Sequence, residues 1–489
     1  MGKQRMLAGV LALVLALLTA GGEMLAIPAR VQAAPAENGR IAPGLRELVR
    51  FLESGEQVTV IVTLRKQASL RGLERLERAE RQRRVITALQ SRAQSSQAGL
   101  QASLAVWRAQ GSVGRVIPFW VFNGFALTAN KAVIQRLAER PEVLRITSNV
   151  TYTAPDPLAM TEPTAHAAIE PNLAAIQAPA LWAMGYRGQG IVIASMDTGV
   201  DITHPDLRAR WRGGSNSWFD PHEQHPDLPT DAQGHGTWTM GVMVGGDAGG
   251  SAIGVAPEAQ WIAAKVFDDN GQTDVVSIHR AFQWLLDPDG DPQTPDAPHV
   301  VNNSWAFEQV GCDLMFQEDL RALWAAGILP IFAAGNGGPA VQTSCSPANY
   351  PEALAVGATD NGDVVYIHSS RGPALCGGSS TVFPDIVAPG ESVRTADLGG
   401  DYGSVSGTSM AAPHAAGALA LLLCAYPGLS VEQQREALVN TCLDLGAQGP
   451  DNDYGYGRLD IWSAYRWLAR LGTSARAYVY LPMLDVSTH

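Results

Sequence analysis

Cysteine is sparse in this chain: five among 489 residues, at 312, 345, 376, 424 and 442, all in the second half. An odd count excludes complete pairing, so at least one thiol stays free or intermolecular. Beyond the first few dozen residues no apolar stretch makes a convincing bilayer span, and the greasy 419–423 is far too brief. Internal repeats are absent. Aspartate is missing altogether from residues 41–150, which carry 17 Lys and Arg against 8 Glu, a net of +9; residues 151–489 hold 14 Lys and Arg against 37 Asp and Glu, a net of −23. So lopsided a chain reads as two bodies of opposite sign that attract one another. The basic block has no recognisable nucleic-acid motif, which disfavours a nucleic-acid partner.

What is present begins with a leader. Lys3 and Arg5 precede an apolar run over 7–18, and Ala33-Ala34-Pro35 offers a small-residue exit. This is the pattern of a cleaved secretory signal peptide over 1–34. A retained membrane anchor is the weaker reading, because the apolar core is short and Gly21-Gly22-Glu23 interrupts it. Export permits disulfides. Pairing Cys312 with Cys345 and Cys424 with Cys442 is one reading of the cysteines, and buried reduced thiols are the other.

With 46% hydrophobic and 17% charged residues over this length, the remainder reads as two or three packed domains. In the basic block, 57–64 reads as a strand, 70–109 as a charged helix, 114–119 and 124–128 as strands, 131–139 as a short helix and 143–146 as a last strand. That is a small open-faced α+β domain over 41–150. Residues 151–172, rich in Pro, Ala and Thr, read as an exposed connector. From there to 472 nearly continuous apolar runs (191–196, 261–266, 299–303, 329–334, 353–357) alternate with helical segments such as 276–286 and 314–326. Such runs are strands buried on both faces, which predicts an α/β, doubly wound, mostly parallel sheet with helices on both faces. The tail 473–489 has no assigned role.

Open parallel sheets present reactive groups just beyond the carboxyl ends of their strands. Asp197 lies there, followed by Thr198-Gly199. His235 sits between glycines at the start of an apolar helix. Ser409 opens a longer one, in which Pro413 is expected to fall in the first turn, where no backbone donor is needed. Taken singly, these residues read as a strand-end cap, a polar helix start and an N-cap. Three together, each beside glycine at an element boundary, fit nucleophilic catalysis, in which histidine takes the serine proton and the carboxylate orients and stabilises the imidazole.

The blocks Asp197-Thr198-Gly199-Val200-Asp201, with His204-Pro205-Asp206-Leu207 behind it, Gly234-His235-Gly236-Thr237 and Gly407-Thr408-Ser409-Met410-Ala411-Ala412-Pro413 resemble the signature blocks of the subtilase family, in that family's order. The resemblance covers about 181–468 and implies a serine endopeptidase acting on proteins and peptides. It makes Ala333-Ala334-Gly335-Asn336-Gly337 the oxyanion block, with Asn336 as side-chain donor beside the Ser409 backbone N–H. Substrate strands would lie near Asp269-Asn270-Gly271-Gln272 and Ser304-Trp305-Ala306-Phe307, which gives Gly271, Ser304, Trp305, Ala306, Ala333, Ala334 and Gly335 as substrate-binding residues. Val301-Asn302-Asn303-Ser304-Trp305 is most similar to the bacillopeptidase F branch, where glycine usually stands in the place of Ala306. The added methyl is expected to crowd the first specificity pocket or the substrate backbone. Asp268, Asp269 and Asp274 would either favour basic substrates or form a solvated acidic loop.

No cofactor is required for such chemistry, and no catalytic metal is implied. Structural calcium has two candidate places. Asp206 matches a calcium position of many subtilases, although 245–251 lacks the usual partner ligands. Asp287-Pro288-Asp289-Gly290-Asp291 resembles a calcium loop but has its glycine misplaced for an EF-hand and no terminal glutamate. Residues 41–150 resemble subtilase propeptides, so the basic block is expected to dock on the acidic enzyme as an intramolecular inhibitor. Self-cleavage is expected within 150–170, near Thr151-Tyr152-Thr153. The mature product is expected to be a secreted, extracellular monomer. Competing readings are a narrow maturation protease, a catalytically dead binding domain and a ring-closing transpeptidase.

Overall fold

Strands of small and branched apolar residues build a seven-stranded sheet in the order Ile386–Pro389, Leu354–Thr359, Leu329–Ala333, Val300–Asn303, Val192–Asp197, Gln260–Lys265 and Trp218–Phe219, with every pairing parallel. This computed structural model describes residues 39–53, 55–155, 160–161, 168–307, 309–374, 376 and 381–472. The expected leader 1–34 and tail 473–489 lie outside the described residues, as does part of the connector. Adjacent strand residues feed opposite layers. Ile193, Val300 and Ile331 join a core with Met240, Ala415 and Leu419, whereas Ala194, Val301 and Phe332 join one with Phe282, Leu320 and Leu323. The helices His235–Val244 and Thr408–Ala425 therefore cover one face, and Val275–Leu286 and Gln317–Ala326 the other. Strand order reverses beside Val192–Asp197, whose neighbours are the later strands Gln260–Lys265 and Val300–Asn303. In open α/β sheets a crevice forms at such a switch point, and Asp197 ends this strand.

The helix Thr408–Ala425 has the length and apolarity of a membrane span, yet 94% of it is buried inside the fold. Pro413 lies in its second turn, not its first as the sequence suggested, so the carbonyl of Ser409 loses its intrahelical donor. The Ser304 hydroxyl donates to that carbonyl instead, at 2.9 Å.

Residues 41–148 form a four-stranded antiparallel sheet ordered Val113–Phe119, Gly124–Asn130, Gln57–Leu64 and Val143–Ser148, with helices Pro43–Phe51, Arg78–Ala109 and Lys131–Glu139. The long helix starts at Arg78 rather than near 70. Arg81 donates to the carbonyls of Glu74 and Leu76, which holds the preceding residues in turns. Val60, Val62, Leu100, Leu104 and Phe125 make this domain's own core. Ile61, Val85, Ile86, Leu89, Phe119 and Phe122 face the other way and are continuous with Phe282, Phe316 and Leu320 of the large domain.

Two expectations are corrected. Thr151–Thr153, the start of the expected exposed connector, keeps two exposed residues but forms a strand, paired antiparallel with Gln272–Asp274. The disulfide joins Cys312 to Cys376, with Cα atoms 5.1 Å apart, while Cys345, Cys424 and Cys442 are free thiols. Proximity in sequence misled here, because the chain folds these thiols toward other groups. Cys345 Sγ packs against the Ala334 carbonyl, Cys424 against the Gln189 amide oxygen and Cys442 against the Leu438 carbonyl.

The central helix also tests the packing. A Cβ on Gly417 would stand 2.6 Å from Val255 Cβ. Overpacking costs about 1–3 kcal/mol, more than the roughly 1 kcal/mol of helix propensity that alanine gains over glycine. Gly417→Ala, in a Ser409→Ala background that prevents autolysis, is expected to lower Tm in calorimetry; a raised Tm would show slack at this contact.

Candidate active site

Asp197 Oδ1 accepts from His235 Nδ1 at 2.7 Å and from the Thr198 backbone N–H at 2.8 Å. Both side chains are buried, and His235 Nε2 meets no partner. The histidine is the first residue of its helix, so its position follows from how that helix begins. Asp231 fixes the start. Its Oδ1 accepts from the N–H groups of Gln233 and Gly234, and its Oδ2 from the N–H and hydroxyl of Thr237. Gly236 is a steric requirement, since a Cβ there would lie 2.1 Å from the Gly199 carbonyl oxygen. Asp231 was not among the residues singled out from sequence. The only signal was an acceptor side chain a few residues ahead of a helix start.

Ser409 lies in the first turn of the neighbouring helix and is locked to Ser304 in both directions. Ser304 Oγ donates to the Ser409 carbonyl, and Ser409 Oγ donates to the Ser304 carbonyl at 3.2 Å. Asn302 Nδ2 donates to Ser304 Oγ at 3.0 Å. Asn336 is oriented by Thr408, whose N–H and hydroxyl both donate to its Oδ1, at 3.0 and 2.9 Å. With the oxygen so engaged, Nδ2 is the group left to donate. Thr408 was quoted in a motif but given no role; the structure makes it the residue that sets the amide's orientation.

Ser409 and Asn336 share a cavity of about 350 Å³ with Ser304, Trp305, Ala306, Ala333 and Gly335. Trp305 contributes little of its ring, which is buried edge-on to Phe316 and Phe332. Ala334 does not line this cavity: its N–H donates to the Val356 carbonyl and its own carbonyl faces Cys345. Cys345 does line the cavity, unnoticed from sequence, and burial pushes its thiol up to about 12. The chain's own Thr153, Ala154 and Pro155 form another wall. Ala154 N–H donates to the Gly271 carbonyl at 2.8 Å, and Tyr152 stacks on Phe307 at 4.7 Å.

The acidic loop is internally engaged. Asp268 accepts from the N–H groups of Asn270 and Gln272, Asp269 pairs with His225 and Lys265, and Asp274 caps the following helix through Ser277 N–H. Asp206 is likewise satisfied by protein: its two oxygens accept from Ala248 N–H at 2.9 Å and Tyr402 hydroxyl at 2.7 Å.

A nucleophile-bearing helix start, a buried Asp–His pair and an oriented amide on one parallel sheet define the class of a serine peptidase site. The chain belongs to the subtilase family, whose model matches residues 188–457. It is 35% identical to bacillopeptidase F of Bacillus subtilis (strain 168) over 412 residues, 78% of this chain and 28% of that protein. It is 32% identical to subtilisin E of the same organism over 342 residues, 70% of this chain and 79% of that one. A subtilisin of Bacillus pumilus is 34% identical over 295 residues, 60% and 97% of the two chains. The chain thus spans under a third of bacillopeptidase F but most of the subtilisins.

Burial opposes charge on His235, but the charge and hydrogen bond of Asp197, with Asp231 behind them, outweigh it and raise the imidazole above its ordinary value. In an NMR titration of Ser409→Ala protein, His235 is expected to protonate at a pH above the usual 6.5 or so. Adding Asp197→Asn leaves burial dominant and should move the midpoint below that value. An unmoved midpoint would show that Asp197 does not set this charge.

Proposed function

We propose that this chain is a secreted serine endopeptidase made as a self-processing zymogen. Ser409 is the nucleophile, His235 its general base and then acid, Asp197 the group that holds the imidazole, and Asn336 with the Ser409 N–H the oxyanion donors. The observation that carries the reading is the single cavity lined by Ser409, Asn336 and a segment of the chain itself, Thr153–Ala154–Pro155. The chain enters this groove as an extended peptide, with 151–153 along Gln272–Asp274 and Ala154 on Gly271. A substrate laid the same way brings a carbonyl to Ser409. The serine hydroxyl then leaves the Ser304 carbonyl for the open Nε2 of His235, which removes its proton as Oγ attacks. Charge on the carbonyl oxygen is met by Asn336 Nδ2 and the Ser409 N–H. Collapse passes the His235 proton to the departing amine and leaves an acyl-enzyme, which water cleaves by the reverse sequence. These residues perform every proton transfer, so the chemistry needs no cofactor.

The basic front domain acts as the inhibitor in this reading. Its contacts support that role: apolar residues Phe119 and Phe122 pack on His279, and Trp120 N–H donates to Gln283 Oε1 at 2.8 Å. Because Thr153, Ala154 and Pro155 all line the cavity that holds Ser409, the cut belongs at or shortly after this segment, within the 150–170 stretch expected from the sequence.

Wild-type precursor is expected to shorten to a mature form whose N-terminus, read by sequencing, falls at or shortly after Thr153–Pro155, while Ser409→Ala stays at full length after leader removal. Normal processing of Ser409→Ala in a protease-free system would refute self-cleavage. The mature enzyme is expected to degrade casein in a manner blocked by a serine-directed inhibitor. Asn336→Leu should lower kcat by about 10²–10³ with little change in KM, because the lost hydrogen bond forms in the transition state. A KM effect alone would remove Asn336 from that role.

A further inference from the structure

The loop after the helix Val275–Leu286 gathers three carboxylates. One oxygen each from Asp287, Asp289 and Asp296 lies within 4.8 Å of the others. Arg212 is the cation whose charge reaches Asp296 and Asp289, but its donors go elsewhere: to the Asp296 backbone carbonyl at 2.6 Å, to Ser217 Oγ at 2.9 Å and to the Asn216 carbonyl. The cluster is therefore not neutralised by direct pairing with that guanidinium.

Asp287 is the unusual member. It is only 7% exposed, and its Oδ1 is buried without any donor, while Oδ2 accepts a long 3.4 Å bond from Gln90. A buried carboxylate oxygen with no partner costs free energy unless something positive supplies one. Asp287 also directly follows the last residue of its helix, where the exposed carbonyl ends add partial negative charge. The other two carboxylates are held in place. Asp289 Oδ1 accepts from the Asp291 N–H at 2.8 Å, and Asp296 Oδ2 accepts from Asn216 Nδ2 at 2.9 Å. Each carboxylate, with about four acceptor sites, retains lone pairs for a ligand.

We propose that Asp287, Asp289 and Asp296 bind a calcium ion at the carboxyl end of this helix. The chemistry of the donors is hard oxygen only, which selects a hard divalent cation. Oxygens that all lie within 4.8 Å of one another can share one calcium ion, whose opposite ligands stand about 4.6–5.2 Å apart, and calcium's flexible shell accepts such an irregular set. Backbone carbonyls and water complete the shell. The spacing differs from an EF-hand because the third carboxylate comes from Asp296, beyond the Asp-Pro-Asp-Gly-Asp run. The ion would pin the loop to Asp296, next to Ala297 and Pro298, whose carbonyls accept from Arg78 of the front domain at 2.9 and 2.5 Å. With Gln90 on Asp287, the site lies against the same front-domain helix.

The test uses the full chain carrying Ser409→Ala, stripped with a chelator and titrated with calcium chloride by calorimetry. One saturable site with Kd below about 10⁻³ M is expected. At a hundredfold excess over Kd, Tm should rise by roughly 5 °C. Asp289→Asn, at an exposed position, should melt like its parent in chelator and lose the calcium response, while Asp206→Asn should keep it. No saturable binding, an unchanged response in Asp289→Asn, or loss of the response in Asp206→Asn would each overturn the proposal. Because the readout is ion binding by an inactive protein, failure here leaves the peptidase reading untouched.

Discussion

The reactive end of this protein hangs on a pair of hydrogen bonds between Ser304 and Ser409. Pro413 deprives the Ser409 carbonyl of its helical partner, deep in the core where an unmet acceptor costs about 1–3 kcal/mol. The Ser304 hydroxyl meets it, and the Ser409 hydroxyl answers on the Ser304 carbonyl. A strand end and a helix start, 105 residues apart in sequence, thereby become one piece. Thr408 extends the piece to Asn336 through two further bonds. Ser409, the groove wall and the Asn336 amide are thereby fixed relative to one another, which is the arrangement that the proposed stabilisation of a developing oxyanion would demand.

The same bonds mark the limit of what the sequence reveals. Asp197, His235 and Ser409 are legible because each sits at an element boundary beside glycine, in a local pattern a reader can see. The long buried strands are legible for a similar reason: both faces are covered, so their apolar runs are unbroken. Gln57–Leu64 and Lys131–Glu139 begin and end where the pattern places them. Trp218–Phe219 and Ile386–Pro389 go unseen, since two to four residues carry no period. Ser304 as the partner of a proline-freed carbonyl is also invisible, because it depends on where two distant segments meet. So is the Cys312–Cys376 bridge, whose partners lie 64 residues apart and whose pairing no spacing rule encodes. Asp206 is a sharper case. Its motif matches, and each of its oxygens already accepts one hydrogen bond, from Tyr402 and from Ala248, partners that no local spacing announces.

The front domain separates two effects that net charge alone merges. The +9 and −23 blocks read from the sequence attract at a distance, but the contact itself is made otherwise. Glu80 pairs with Arg83 and Arg84, and Arg140 with Glu142, within the front domain. Across the boundary lie Val85, Ile86, Leu89, Phe119 and Phe122 in one continuous apolar cluster with the enzyme, framed by hydrogen bonds from Arg78, Trp120 and Asn149. Burial of that surface holds the domains together, at about 25 cal/mol for each Å² removed from water, and is not screened by salt as charge is. The opposed fields act on encounter and orientation, over lengths that salt screens within about 10 Å. In the proposed zymogen, a front domain built this way would dock fast because of its charge and stay because of its apolar face. Release then depends on losing the chain connection through 151–155, which keeps the front domain's effective concentration high while it lasts. In the proposed zymogen the strand along Gln272–Asp274 would serve as both tether and presented segment, so a cut there would remove the tether and leave only the apolar contacts to hold the front domain.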